Sequence, residues 1–435
     1  MLTKSTPHQD QADLGGSSSP VPNYSSRFDM WLLRHLYSSL GNPQIRITMG
    51  GGLEVAPPAA FPVATIAIRD RRTLLQILLD PQLGFGDAYT AGRVTVDGSL
   101  IATLETVFRS MSTIESRNLY SRIASPLLAF LQRNSLRGAR KNIHRHYDLG
   151  TEFFRLWLDS QLVYSGAYFS SPSLTLEEAQ IAKMDYICRK LNLLPGERVV
   201  DIGCGWGALA FHMARHYGAH VQAVSNSHEQ ILWVRHRAAQ LHLTHQVEFI
   251  EGDYRNISTQ CDALVSVGML EHVGAQHYPD MGRVIHRVLD SAGRGLIQTI
   301  GLNQPHPFNL WTRKRIFPGT YAPTLRQTMD LFEPGNFSVV DVENLRPHYV
   351  RTLEHWLERF ENSSARVSEM FGADFVRLWR LYLAGSLAGF SSGSLQHFQI
   401  LFARKACQRI PQTRAQLYAA EHPVQLEAKR MYAVL

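Results

Sequence analysis

Short apolar runs alternate with helix-period stretches along most of this chain. From about residue 143 the alternation becomes regular. Apolar, β-branched runs at 198–202, 220–224, 247–250, 263–267, 295–300, 337–342 and 395–401 read as strands. Between them, 177–194, 208–217, 228–243 and 278–289 carry apolar residues at helical spacing. The first of these helices is capped near Ser173 or Thr175 and stopped by Leu194-Pro195-Gly196. Strands alternating with helices predict an α/β fold, a doubly wound sheet of seven strands. Between the fifth and sixth strands lies an insertion with Pro305, Pro307, Trp311, Phe317, Pro318, Tyr321 and Pro323. Loops at strand C-termini carry ligands in such folds, so this insertion is expected to form a lid or a tunnel wall.

Upstream the pattern is different. Met30, Leu32, Leu33 and Leu36 predict a short helix, 45–48 and 65–68 strands, and 74–79 a helix ending at Pro81. A glycine-bearing stretch, 83–92, precedes a further apolar run at 94–96. This is a small N-terminal α+β domain with no cluster of catalytic residue types. The predicted organisation is a polar, disordered tail over 1–26, the small domain over 27–111, a linker over 112–142, the α/β domain over 143–405 and a C-terminal tail over 406–435. The linker joins an apolar run, 126–131, to Arg133, Arg137, Arg140, Lys141 and Arg145. That mixture suits an anionic membrane surface or a solvated helix packed on its neighbour by one face.

Composition narrows the picture. A chain of 435 residues, 45% hydrophobic and 19% charged, is globular and large enough for two domains. Its net charge of +7 favours an anionic partner without choosing among nucleic acid, lipid and an acidic substrate. Cys188, Cys204, Cys261 and Cys407 lie far apart with no C-x-x-C, which predicts neither a disulfide framework nor a metal site and fits a reducing compartment. No apolar run approaches the roughly 20 residues that span a bilayer, and the N-terminus has no signal-peptide core. A cytoplasmic protein with at most peripheral membrane contact is expected.

The chemistry is concentrated at Asp201-Ile202-Gly203-Cys204-Gly205-Trp206-Gly207. Three glycines at alternate positions, between a strand and a helix, let backbone pass close to a ligand. The spacing differs from the G-x-G-x-x-G of a dinucleotide site. It resembles the first motif of S-adenosylmethionine-dependent methyltransferases; alternatively it is an ordinary tight strand–helix turn.

The remaining motifs make the resemblance specific. His146-Tyr147-Asp148-Leu149-Gly150, Tyr164-Ser165-Gly166-Ala167-Tyr168-Phe169, Leu176-Glu177-Glu178-Ala179-Gln180, His228-Glu229-Gln230, 266–274 with Glu271-His272, Ile316-Phe317-Pro318-Gly319 and Ala388-Gly389-Phe390 occur in order. On these stretches, from about 28 to 404, the chain resembles the cyclopropane fatty acid synthases and their mycolic acid relatives. The resemblance implies a Rossmann-like methyltransferase sheet, S-adenosylmethionine as methyl donor, and transfer of its methyl carbon to the double bond of an unsaturated phospholipid acyl chain. It implies that Tyr164 and Ser165 cover the cofactor and that Gly203, Gly205 and Gly207 approach its methionine and ribose. Ser225, Asn226 and Gln230 would serve the ribose side, and Asp253 and Tyr254 the adenine. It also implies a dimer and a peripheral place at the inner membrane surface, with no nucleic-acid partner.

The family's base is a bound bicarbonate, and here the chain departs from the pattern. Glu271 is retained, and His272 beside it reads as a packing residue. The family's Cys is Gly166, its His is Gln298, its Tyr is matched to Leu357, and a further Cys of the last helix is Ser386. Gln298 donates hydrogen bonds but cannot titrate. These changes put bicarbonate in doubt, and ring closure follows less securely than methyl transfer. The expected catalytic set is Glu271, Gln298 and Ser386. Three alternatives stand beside the cyclising synthase: a relative that makes a methyl-branched or methyl-alkene chain, a methyltransferase for a soluble small molecule, and a lipid-binding protein without catalysis.

Overall fold

The computed structural model describes residues 27–58, 61–115, 149–410 and 413–418. The expected N-terminal tail, most of the basic linker with Arg133 to Arg145, and His144, His146, Tyr147 and Asp148 lie outside the described residues.

The smaller of two sheets contains β1 (Arg46–Met49), β2 (Leu53–Val55), β3 (Ala64–Ile68) and β4 (Val94–Gly98), in the order β2-β1-β3-β4. β3 alternates buried and half-buried positions, so Ala64, Ile66 and Ile68 face inward. Around this sheet lie α1 (Arg27–Ser39), α2 (Arg71–Leu79), α3 (Pro81–Thr90) and α4 (Leu100–Glu115). The stretch 83–92, which the sequence left without an element, is mostly α3. Asp80 caps it by accepting from the Leu83 amide, and Pro81 opens it. Its glycines are close-packing positions rather than turn signals. A Cβ on Gly84 would lie 2.5 Å from the Gln76 carbonyl oxygen, and one on Gly86 2.3 Å from the Trp311 ring. α4 was not anticipated either, and it runs on through position 112, where the linker was expected to begin.

The larger sheet contains all seven strands expected from the pattern: β5 (Arg198–Ile202), β6 (His220–Ser225), β7 (Val247–Glu251), β8 (Cys261–Val267), β9 (Leu289–Gly301), β10 (Ser338–Asn344) and β11 (Gln396–Ala403). Their order is β10-β11-β9-β8-β5-β6-β7. The strands from β5 to β9 pair in parallel, and β11 runs antiparallel to both of its neighbours. β11 is buried at every position, as expected for a strand covered on both faces. The strand order reverses between β5 and β8. This switch point places the loops after these two strands, 203–207 and 268–273, on either side of one crevice.

After α5 (Thr151–Arg155), whose Phe153 and Phe154 join the aromatic core, helices cover the sheet: α6 (Leu176–Leu191), α7 (Ala208–Tyr217), α8 (His228–Gln240) and α9 (Tyr278–Val288). A capping box of Thr175 and Glu178 starts α6. After β9 the expected insertion holds α10 (Leu310–Arg315) and α11 (Leu325–Thr328); β10 is followed by α12 (Arg346–Asn362), α13 (Ser364–Phe371) and α14 (Ala373–Ser391). α10 docks on the small unit through a Leu310 amide bond to Gln82 and an Arg315–Asp87 ion pair. α14 packs on α3, α4 and α12, and Arg377 donates to the Thr90 carbonyl. One apolar core therefore runs from Leu33 and Ile47 to the fully buried Trp157, Trp356 and Trp379. The C-terminal stretch also returns to the fold, where Leu417 is buried and its carbonyl accepts from Arg189.

Candidate active site

The crevice at the switch point opens into a cleft of about 100 Å³. Gly203 and Gly205 line it, and both backbones are left-handed, with φ of +85° and +55°. A Cβ on Gly205 would meet nothing within 4 Å, so this position keeps open the space a ligand needs. Gly207 behaves differently: it starts α7, and a Cβ there would crowd Phe211, Val234 and Phe249 beneath the loop. Gly207 and Cys204 are not among the lining residues. Ser225, Asn226, Gln230, Asp253 and Tyr254 are, as the ends of β6 and β7 converge on the cleft. The Ser225 hydroxyl donates to Gln230 Oε1 and accepts from the Ser227 amide, so the pair is held rigidly. Arg255 clamps the Asp253 carboxylate with two hydrogen bonds of 2.7 and 2.9 Å.

Asp201 lies behind the cleft. It is buried, its Oδ2 has no hydrogen-bond partner among the described residues, and burial pushes its carboxyl up to about 7. Lys183, itself buried on α6, is coupled electrostatically to Asp201 and Asp159 and donates to Ser165 Oγ at 3.0 Å. This network ties the base of β5 to the loop at 163–166. Tyr164 and Ser165 stand on the wall of a second cavity rather than in the cleft, and the Tyr164 hydroxyl pairs with that of Tyr382 at 2.8 Å.

The second cavity is larger, about 430 Å³, and mostly apolar. Gly268 and His272 line both spaces, so the two meet there. A Cβ on Gly268 would also meet nothing within 4 Å, which leaves the junction open. Among the lining residues Glu271 is the one carboxylate, and no lysine or arginine is present. Glu271 is buried, and its Oε1 accepts from the Ile300 amide at 2.6 Å. Its Oε2 has no partner among the described residues, and burial pushes the carboxyl up to about 7. Burial likewise pushes His272 down to about 4 and leaves it neutral near pH 7.

Gln298 and Ser386 line the same cavity. The orientation of Gln298 follows from a chain of donors. Lys190 is buried and has only hydrogens to give, so the amide oxygen of Gln399 turns to it, at 2.8 Å. The Gln399 amino group then donates to Gln298 Oε1 at 2.8 Å. Gln298 Nε2 is left as a buried donor without a partner at the cavity wall. Ser386 belongs to one face of α14 with Leu381, Tyr382, Gly385, Gly389 and Phe390, all on the wall. Three small residues on that face leave the cavity its width.

The structure corrects two sequence expectations here. Leu357 does not line the cavity; Tyr349, two turns earlier on α12, does. Steps of four keep 349, 353 and 357 on one side of α12, and the cavity reaches only the first two. Gly166 is also more than a missing cysteine. A Cβ there would lie 2.7 Å from His397 Cε1, so the buried His397 ring takes the space a side chain at 166 would need. Sequence reasoning missed His397 and Tyr382 and discounted His272. Only the position of His272 after Glu271 at a strand end offered a signal; the other two come from distant elements.

A glycine-cradled cleft at the switch point, joined to a mostly apolar cavity with a carboxylate beside the junction, is the site of an S-adenosylmethionine-dependent methyltransferase. Comparison with known proteins agrees and goes further: the family model described as mycolic acid cyclopropane synthetase matches residues 134–400. The chain belongs to this family. It is 35% identical over 346 residues to the cyclopropane-fatty-acyl-phospholipid synthase of Escherichia coli K12, covering 78% of this chain and 88% of that one. It is 30% identical over 392 residues to a probable fatty acid methyltransferase of Pseudomonas putida, covering 86% and 96%. Among solved structures, a mycolic acid cyclopropane synthase complexed with SAH and CTAB is 29% identical, with a TM-score of 0.58 over 61% of this chain and 98% of that one.

Gly205→Val places a branched side chain in the open space of the cleft and strains a left-handed residue. Affinity for S-adenosylmethionine, measured by calorimetry, is expected to fall at least tenfold while the circular dichroism spectrum stays that of the wild type. Unchanged affinity in the folded variant would remove Gly205 from the cofactor site.

Proposed function

We propose that the protein adds a methyl carbon to the double bond of an unsaturated phospholipid acyl chain at a membrane surface, and that the catalytic part is residues 149–403 with the small unit as an accessory domain. The meeting of the cofactor cleft with an apolar cavity at Gly268 and His272, beside Glu271, carries this reading. The residues fit the cofactor: Gly205 leaves the cradle open, and Asn226, Gln230, Asp253 and Tyr254 surround it. S-adenosylmethionine supplies an electrophilic methyl group there.

The chain's own residues prepare the acceptor side. An acyl chain is apolar and needs an apolar cavity; its alkene is a weak nucleophile and becomes cationic on methylation. Tyr349, Tyr382 and Phe390 offer aromatic faces, and Glu271 offers negative charge, in a mostly apolar space from which a bound acyl chain would displace water. Glu271, held at Oε1 and free at Oε2, is placed to take up a proton directly or through a small molecule held by Gln298 Nε2. The donor at Gln298 and the unpartnered Glu271 Oε2 fit a water or a small oxygen-bearing anion, the class to which bicarbonate belongs.

The exposed apolar residues support attachment to a membrane. Phe61 is 99% exposed and Leu79 85%, and both belong to the small unit, as do the exposed Phe28 and Trp31. Among the described residues no helix is long and apolar enough to cross a membrane, and the four cysteines are free, as the cytoplasmic face of a membrane would require.

Glu271→Gln keeps the size and removes the base. Turnover on vesicles of unsaturated phosphatidylglycerol should fall by about 10²-fold or more, with cofactor affinity unchanged. Wild-type activity should rise with an inflection near pH 7 as the carboxylate forms. Stability should run the other way. The folded carboxyl titrates near 7 rather than in its ordinary range near 4.5, so its stabilising contribution is full below about 4.5 and is lost as pH rises through 7. The Gln variant should therefore gain in melting temperature over wild type above pH 7. An unaltered pH profile in a Gln variant that still turns over normally would exclude Glu271.

Gly385→Leu tests the cavity. A Cβ at Gly385 meets nothing within 4 Å, and glycine inside a helix costs about 1 kcal/mol against other residues. The variant should keep its cofactor affinity and its melting temperature while incorporation of label from methyl-labelled S-adenosylmethionine into lipid falls at least tenfold. Full incorporation would mean that the acyl chain lies elsewhere.

For the membrane surface, Phe61→Ser with Leu79→Ser should weaken co-sedimentation with phosphatidylglycerol vesicles several-fold. Equal binding by the double variant and wild type would reject these residues as the anchor.

A further inference from the structure

Protein units are close-packed, with few voids larger than a water molecule. The small unit departs from that. The cavity above Glu271 continues into it, past Leu36, Ile47, Ile66, Ile77, Leu104 and Phe108. Ile47 and Ile66 are direct register partners on β1 and β3, and both are buried. The inner face of the small sheet thus floors a hollow that opens toward the active site, where a solid unit would have filled it.

The two ends of the cavity differ in chemistry. Toward the switch point, Glu271 Oε2, Gln298 Nε2 and His397 Nδ1 are buried and have no hydrogen-bond partner among the described residues. In the small-unit arm, Trp311 Nε1, beside Gly86, is the one buried side-chain polar atom of a lining residue without a partner among the described residues, and it is an uncharged donor. Gln82 Oε1 accepts from the Leu310 amide, and the Thr103 hydroxyl donates to the Ser99 carbonyl. No charged side chain lines this arm. A lone indole N–H is fewer than the two to four polar partners a buried water needs, and a charged head group would lose its solvation without compensation. What fits is a flexible hydrocarbon end.

We propose that the small unit binds the methyl-terminal segment of the acyl chain, and that the depth of this arm, closed by Ile47 and Ile66, sets which double bond reaches Glu271. The proposal rests on the acyl-chain reading of the cavity. It concerns a part of the chain outside the matched family region, which starts at residue 134. If the hydrocarbon beyond the double bond ends against the sheet, an alkene displaced by two carbons no longer lies beside the junction at Gly268.

The test uses the full-length enzyme and phosphatidylglycerol vesicles whose monounsaturated chains differ only in the number of carbons beyond the double bond. Products are quantified by mass spectrometry. Ile66→Phe fills the end of the arm and should shift the ratio of kcat/KM for long over short tails downward by about tenfold, within the range that one or two methylenes command in an apolar pocket. Ile66→Val, the milder change, should shift the ratio the other way by a smaller factor. A second measurement does not depend on either variant. A phospholipid with a diazirine at the methyl end of its acyl chain, photolysed with wild-type protein, should cross-link to residues within 36–111. Cross-links confined to 149–403, or an equal loss of activity on all tails in both variants, would overturn the proposal and leave the acyl substrate standing. A wild-type enzyme that methylates no unsaturated lipid would instead overturn the reading beneath it.

Discussion

A carboxylate buried in an apolar cavity is costly unless something holds it, and here the Ile300 amide is foremost among the groups that do. The Ile300 N–H binds Glu271 Oε1 and leaves Oε2 buried without a hydrogen-bond partner among the described residues. That bond joins the loop after β8 to the strand beside it, so the position of the carboxylate is set by the parallel pairing of β8 and β9. The rest of the site is arranged around it: burial that raises its affinity for a proton, aromatic side chains on the same cavity wall, and an opening to the cofactor cleft at Gly268.

Openness is itself a structural property in this protein. Side chains are missing where they would be in the way: at Gly205 in the cleft, at Gly268 in the junction, at Gly385 along the helix wall. Elsewhere glycine serves the opposite purpose and lets parts close up. Gly86 admits the Trp311 ring, and Gly166 admits His397. The same residue type thus marks empty space in some places and tight contact in others, and only the surroundings tell which.

The polar support of the site is indirect. Gln298 faces the cavity as a donor because Lys190, two residues back along a hydrogen-bonded chain, cannot accept. Lys183 plays a comparable part under the cleft, bracing the Tyr164–Ser165 loop from Ser165 Oγ while sharing its charge with Asp159 and Asp201. Both lysines lie on α6, whose capped start and buried length make it a rigid support for two loops at once.

The sequence by itself determined the seven strands of the large sheet, the glycine turn after β5 and the carboxylate after β8. Each is a local signal: a β-branched run, a glycine spacing, an acidic residue at a strand end. Of the residues that the family resemblance placed around the cofactor, Gly203, Gly205, Ser225, Asn226, Gln230, Asp253 and Tyr254 line the cleft, while Tyr164 and Ser165 line the neighbouring cavity. The helix over 81–90 was not legible, because Gly84 and Gly86 look like a turn until Gln76 and Trp311 are seen to press against them. Matching the family's tyrosine to Leu357 suggested that the site lacks one, and that Tyr349 lines the cavity was not legible, because how far the cavity runs along α12 depends on what packs around it. That His397 fills the space at Gly166, and that the small unit shares a hollow core with the active site, depend on contacts between residues more than a hundred positions apart. Tertiary structure alone decided these, because no local pattern of hydrophobic and polar residues encodes which distant surfaces meet or where they leave a gap.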